Sequence, residues 1–185
     1  MKKLLFLLIS SFAFSASQAQ TLSAEQQAVK KVVVDFYKWY AANDAKLYNF
    51  KLYKGKVVKD APPYIIDWKV AEKYFNYVRK NVTWLGQAFI INERKFLKQC
   101  QQNFNKYPEE EMPMGFDYDR FTDTQEDAKY TLDEYILNKK MTWQINIKNA
   151  VAIVFINVKN KDRSKVELVK ENGTWKISKC ISRNY

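Results

Sequence analysis

The chain has no histidine in its 185 residues. That removes the usual general base near neutral pH, any Ser-His-Asp triad, and the commonest zinc ligand. Cys100 and Cys180 are the only cysteines, too few for an all-cysteine zinc site. In an oxidising compartment they would close a loop of about 80 residues, worth on the order of 4 kcal/mol. Two separate buried thiols are the other reading, since a bridge needs Cα atoms within about 7 Å. Both readings stay open. Glycine and proline number four each, and neither an internal repeat nor a low-complexity linker is present. Beyond the N-terminus no apolar run approaches the roughly 20 residues that a membrane-spanning helix needs. No cofactor is expected.

What is present begins with a targeting pattern. Lys2-Lys3, the apolar run Leu4 to Phe14, and Ser17-Gln18-Ala19 form the three regions of a secretory signal peptide. Residues 1–19 are therefore expected to be removed near Ala19, with no cysteine after the cut to carry a lipid. Residues 20–185 are expected to form a single α+β domain, periplasmic or secreted, with no transmembrane segment after cleavage.

The first helix has a start signal and a stripe. Ser23 with Gln26 three residues on fits a capping box, and Val29, Val32, Val33, Phe36 and Tyr40 fall on one face. A second helix is expected from an Asp67 N-cap, burying Val70, Ala71, Tyr74 and Val78. A third is expected from near Thr83 to about Phe104, through Leu85, Phe89, Phe96, Leu97 and Cys100. Between the first two, residues 42–63 interleave Lys46, Lys51, Lys54, Lys56 and Lys59 with Tyr48, Phe50 and Tyr53, partly as loop. In the last third, Trp143, Ile145 and Ile147 alternate with polar neighbours, and residues 150–158 read as a central strand. Asn172-Gly173 between two further strand-like runs is a hairpin signal. N-terminal helices should therefore pack on a C-terminal antiparallel sheet.

Charge is unevenly placed. The net charge is +11, yet residues 109–134 hold ten of the twenty acidic residues, opposed only by Arg120 and Lys129. This acidic insert, about 105–134, interrupts a basic body. It reads either as a solvated loop or as a shield over a basic surface. Asp117-Tyr118-Asp119 does not open an EF-hand, because Phe121, Thr122 and Ala128 stand where an oxygen ligand, glycine and glutamate belong. A looser set of Asp117, Asp119 and Asp123 stays open beside ordinary turn chemistry. Asp123 or Thr124 is expected to cap a short helix through Tyr135.

Three segments carry a resemblance: Val34-Asp35-Phe36-Tyr37-Lys38-Trp39-Tyr40, then Phe116-Asp117-Tyr118-Asp119-Arg120-Phe121 with Gln125, then Gly173-Thr174-Trp175-Lys176-Ile177. In this order they resemble the YqhG-type family of small bacterial envelope proteins, a domain of unknown function. In this sequence Arg120 stands where that family usually has proline. The resemblance implies a nuclear-transport-factor-2-like, cystatin-like cone, with helices packed into a curved sheet. It also implies a site at the cone mouth, where Tyr37, Tyr40, Asp117, Asp119 and Gln125 are the candidate ligand-binding residues. Asp35, Asp117 or Asp119 would supply an acid or base, with Tyr37 or Tyr40 as donor, were there catalysis. For Tyr37, Trp39 and Tyr40, core packing is the competing reading.

Three functions follow as expectations. The first is a non-catalytic binding module engaging an envelope protein or an anionic glycan or surface through its lysines. One cluster is Lys30, Lys31, Lys51, Lys54, Lys56 and Lys59; another is Lys159, Lys161, Arg163 and Lys165. The second is an immunity or inhibitor protein whose acidic insert plugs a toxin. The third is a small-molecule enzyme or carrier using the cone pocket. Nucleic acid is not an expected partner, because export removes the chain from cytoplasmic nucleic acid and no recognition motif is present.

Overall fold

The computed structural model describes residues 22–138, 141–157 and 164–181. The signal-peptide reading of residues 1–19, and Lys159, Lys161 and Arg163 of the second basic cluster, lie outside the described residues.

Helix α1, Ala24–Ala41, begins with the full capping box. Ser23 Oγ accepts from the Gln26 backbone N–H at 3.2 Å, and Gln26 Oε1 accepts from the Ser23 N–H at 2.9 Å. Such a cap contributes about 1 kcal/mol. The other end of Gln26 donates to the Ile145 carbonyl at 2.8 Å, tying α1 to the sheet. Val29, Val33, Phe36, Tyr37 and Tyr40 are buried, while Val32 is half-buried. A short helix α2, Asp44–Tyr48, follows.

Residues 51–66 hold an antiparallel pair absent from the expected scheme: β1, Tyr53–Gly55, and β2, Tyr64–Ile66. Helix α3, Trp68–Asn81, starts where expected, with Asp67 accepting from the Val70 N–H. Ala71, Tyr74, Phe75 and Val78 are buried, and Val70 is only half-buried. Lys54 donates to Asp67 at 2.8 Å and holds its carboxyl below the ordinary aspartate range.

Helix α4, Gln87–Lys106, begins later than the sequence pattern placed it. Leu85, after a turn at Thr83 and Trp84, bridges in parallel to the last strand: the Ile177 N–H donates to the Trp84 carbonyl, and the Gly86 N–H to the Ile177 carbonyl. Glu171 then caps the helix from outside, its carboxylate accepting from the Gln87 and Ala88 N–H groups at 3.0 Å each. A Cβ on Gly86 would lie 2.5 Å from that carboxylate, so a side chain there would push Glu171 off its cap.

The expected cap at Asp123 or Thr124 is also corrected. Asp127 caps the short helix α5, Ala128–Thr131, which continues as one π-helical turn over Leu132–Ile136.

The sheet runs β3 (Thr142–Lys148), β4 (Val151–Asn157), β5 (Ser164–Glu171), β6 (Thr174–Ile181), each strand antiparallel to the next. Asn172 and Gly173 take φ of 50° and 78° and close the last hairpin. Ile145, Val154, Val166 and Cys180 form one row of register partners, and Ile147, Ala152, Leu168 and Ile177 the next. Strict alternation cannot put both Ile177 and Cys180 on one face. A bulge opposite Glu167/Leu168 absorbs Ser178, whose hydroxyl donates to the Glu167 carbonyl. The fold is thus α+β, with helices N-terminal to a four-stranded antiparallel sheet. Among the described residues, no helix is long and apolar enough to cross a membrane.

Candidate functional site

The middle of the acidic insert is not a solvated loop. Asp119, Phe121 and Thr122 are buried and pin residues 115–124 against α1, α2 and α4. Asp119 Oδ1 accepts from the Phe121 and Thr122 N–H groups at 2.7 and 3.1 Å. Its Oδ2 accepts from the Tyr40 hydroxyl and, at 2.9 Å, from the Tyr48 hydroxyl. Tyr37 donates to the Phe121 carbonyl at 2.6 Å. The Phe121 ring packs 4.7 Å from that of Tyr40 and 5.9 Å from that of Phe89. A buried carboxylate is tolerated when its lone pairs are met in this way.

Arg120 points the other way, into α4. Its guanidinium lies 2.5 Å from Glu93 Oε1, with both side chains at most 18% exposed. The rings of Tyr74, Phe96 and Phe116 surround it at 5.6–5.7 Å. Burial is the largest single influence and would lower its pKa, but Glu93 together with the Tyr74, Cys100 and Tyr40 groups around it raises it on balance. A fixed, buried ion pair is the result.

Two cavities flank this segment and share Asp119 and Arg120 in their walls. The larger, about 580 Å³, lies between α4, β6 and the insert. Its apolar surfaces come from Phe89 and Phe96, and its charges from Glu93, Arg120, Asp117, Asp123 and Lys179. Cys180, turned inward by the bulge, also lines it. The smaller, about 230 Å³, is bounded by Tyr40, Tyr48, Phe50, Tyr53 and Phe116.

Of the residues singled out from the sequence, Asp117 and Asp119 line the larger cavity, and Tyr40 and Asp119 the smaller. Tyr37 is buried and works through the Phe121 carbonyl. Gln125 is exposed and donates to the Asp117 carbonyl at 3.3 Å, so it braces the rim. Asp35 does not belong here: it pairs with Lys31 one turn away on α1. Tyr37 and Tyr40 are buried as the core reading has it, and their hydroxyls hold the insert through Phe121 and Asp119. Among the described residues, no group of three carboxylate or thiol side chains could hold a metal ion, and the oxygens of Asp119 are already committed to hydrogen bonds.

Cys100 and Cys180 are free thiols. Burial pushes Cys100 up to about 12 and raises Cys180 further above its ordinary value. Burial likewise raises Tyr37, Tyr40 and Tyr74, and pushes Tyr48 up to about 12. Neither thiols nor phenols held so high act as nucleophiles or bases near pH 7.

Glu93 was missed by the sequence reading. It occupies the apolar stripe of α4 four residues after Phe89 and four before Leu97, and a lone acid in such a stripe is a visible signal for a buried partner. Arg120, the one basic residue between Lys106 and Lys129, is the matching signal.

A scan against protein-family models and searches of the curated proteins and of the solved structures each found no match.

Proposed function

We propose that this chain is an exported, non-catalytic binding module of the bacterial envelope, built as a nuclear-transport-factor-2-like cone. Its ligand is a small amphipathic molecule held in the cavity between α4, β6 and the insert. The observation that carries this reading is the cavity itself: about 580 Å³, within the range of small-molecule sites, with ring faces beside a few fixed charges. Phe89 and Phe96 would take the apolar body. Asp117, Asp123 and Lys179 at the mouth and the Glu93–Arg120 pair within would orient the polar end. Catalysis is disfavoured by the lack of histidine and by thiols and phenols that stay protonated. The signal-peptide pattern and the three-segment resemblance support the envelope and the cone.

The test is a thermal-shift panel on residues 20–185 with calcium, zinc, polyanions, cell-wall fragments and apolar small molecules. Asp117→Trp serves as the control, since Asp117 is exposed on the rim and a large ring there blocks entry. A ligand that stabilises the native chain and loses its effect on Asp117→Trp supports the cavity. A ligand that shifts both equally places binding elsewhere.

A second reading, an immunity or inhibitor protein, is favoured by one observation. Glu109, Glu110 and Glu111 are exposed beside the exposed large apolar side chains Tyr107 and Met112. Acid around an apolar contact suits a basic cleft on a protein partner. A nanomolar complex with an envelope protein, weakened when these three glutamates become glutamine, would favour it over the cavity reading.

A further inference from the structure

The two large apolar side chains that stand furthest into solvent among the described residues are neighbours. Val57 is 82% exposed and Val58 60%, at the crown of the loop joining β1 to β2. This loop is a built projection, held by its backbone. The Gly55 N–H donates to the Lys59 carbonyl at 2.8 Å, the Lys56 N–H to the Pro63 carbonyl at 2.8 Å, and the Ala61 N–H to the Val58 carbonyl at 3.3 Å. Gly55 lies so close beneath that a Cβ would sit 1.7 Å from the Val58 oxygen and 2.3 Å from the Ala61 oxygen. Lys56 and Lys59 bracket the valines directly, and Lys51 and Lys54 are exposed on the incoming arm. Asp60 and Asp67 are the opposing acids, and Asp67 is already paired with Lys54.

We propose that this loop is a membrane-docking finger. Val57 and Val58 enter the headgroup boundary of an anionic phospholipid bilayer, and Lys51, Lys56 and Lys59 engage its phosphates. The shape selects this occupant. A protein partner needs about 800 Å² from each side, centred on anchors in pockets, and two valines on a narrow crown offer neither. A bilayer boundary deforms around a small apolar wedge and attracts lysines beside it. Tyr64, at the base of the same hairpin, donates to the Glu111 carbonyl at 3.0 Å. That sets the backbone of Glu111 at the base of the hairpin, so the exposed charges of Glu109, Glu110 and Glu111 lie on the chain beside it and oppose an anionic surface. The finger is separate from the cavity and stands if the cavity reading fails.

The experiment is co-sedimentation of residues 20–185 with vesicles of phosphatidylglycerol and phosphatidylcholine, and with phosphatidylcholine alone, at low and high salt. The expected result is binding to the anionic vesicles that weakens at least about tenfold in high salt. The pair Val57→Asp with Val58→Asp should lose at least about tenfold in partition while keeping the native thermal midpoint. Changing Glu109, Glu110 and Glu111 to glutamine should strengthen binding severalfold. The proposal is overturned if the native chain ignores anionic vesicles, or if the aspartate pair binds them as well as native. It is equally overturned if the aspartate pair converts a dimer to a monomer, which would make the occupant a second copy.

Discussion

Two loops of this molecule solve opposite problems. The insert around Asp119 turns polar and charged groups inward and fixes them with side chains: Tyr40, Tyr48, Tyr37 and Glu93 hold Asp119, Phe121 and Arg120. The β1–β2 loop turns its apolar side chains outward and is fixed by its own backbone over Gly55. The insert is acidic overall, and the other loop is bracketed by lysines. Net charge therefore says little about how a loop is held. What matters is whether each charge finds a partner before it leaves water. The first loop can wall a cavity because it cannot move cheaply; the second can present a surface because nothing covers it.

The largest way to break the comparison is alkali. The tyrosines and thiols raised by burial all surround the insert. In the unfolded chain thiols ionise near about 8.5 and phenols near about 10. Folded-state values above these mean that stability is full below about pH 8.5 and falls as pH rises through about 12. Urea unfolding followed by circular dichroism should show the midpoint dropping steeply across that window. A midpoint at pH 11 equal to that at pH 7 would contradict the burial of these groups.

Next comes the ion pair. Arg120→Ala leaves Glu93 buried without its partner and should cost about 3–5 kcal/mol in urea unfolding. Replacing the pair together, as Glu93→Gln with Arg120→Met, should cost less than Arg120→Ala alone. Additive losses would mean that the two side chains do not act as a unit.

The smallest of the three effects belongs to the other loop. Gly55→Ala forces a methyl into backbone oxygens and should cost about 1–3 kcal/mol. It should also weaken vesicle binding while leaving cavity ligands unaffected. Equal weakening of both would show that the two loops are coupled, and the contrast between them would fail.

Local signals carried much of the architecture. Ser23 with Gln26, Asp67 before Trp68, and Asn172-Gly173 each name their own cap or turn within four residues, and each is found where the pattern placed it. What was not legible depends on distant partners. Residues 84–86 read as helix until β6 is available to pair with them. The arms of β1 and β2 are three residues long, too short for a period of two to register. In β6 the alternation through Trp175 and Ile177 points Cys180 outward; only the bulge at Ser178, set by pairing with β5, reverses it. At the site, the aspartates and tyrosines announced themselves as a cluster of types. Their division of labour did not, because a sequence cannot tell a carboxylate with four donors from one facing solvent.

The cap on α4 has a consequence for the order of events during folding. The helix takes its N-terminal acceptor from Glu171, 84 residues after Gln87, and Leu85 just before it bridges to Ile177. A ribosome emits the chain from one end. Throughout most of synthesis α4 has free N–H groups at its start and no strand to lie beside. The cap on α4 can close only after the β5–β6 hairpin emerges, so the helix is completed late, by residues some 84 positions beyond its start.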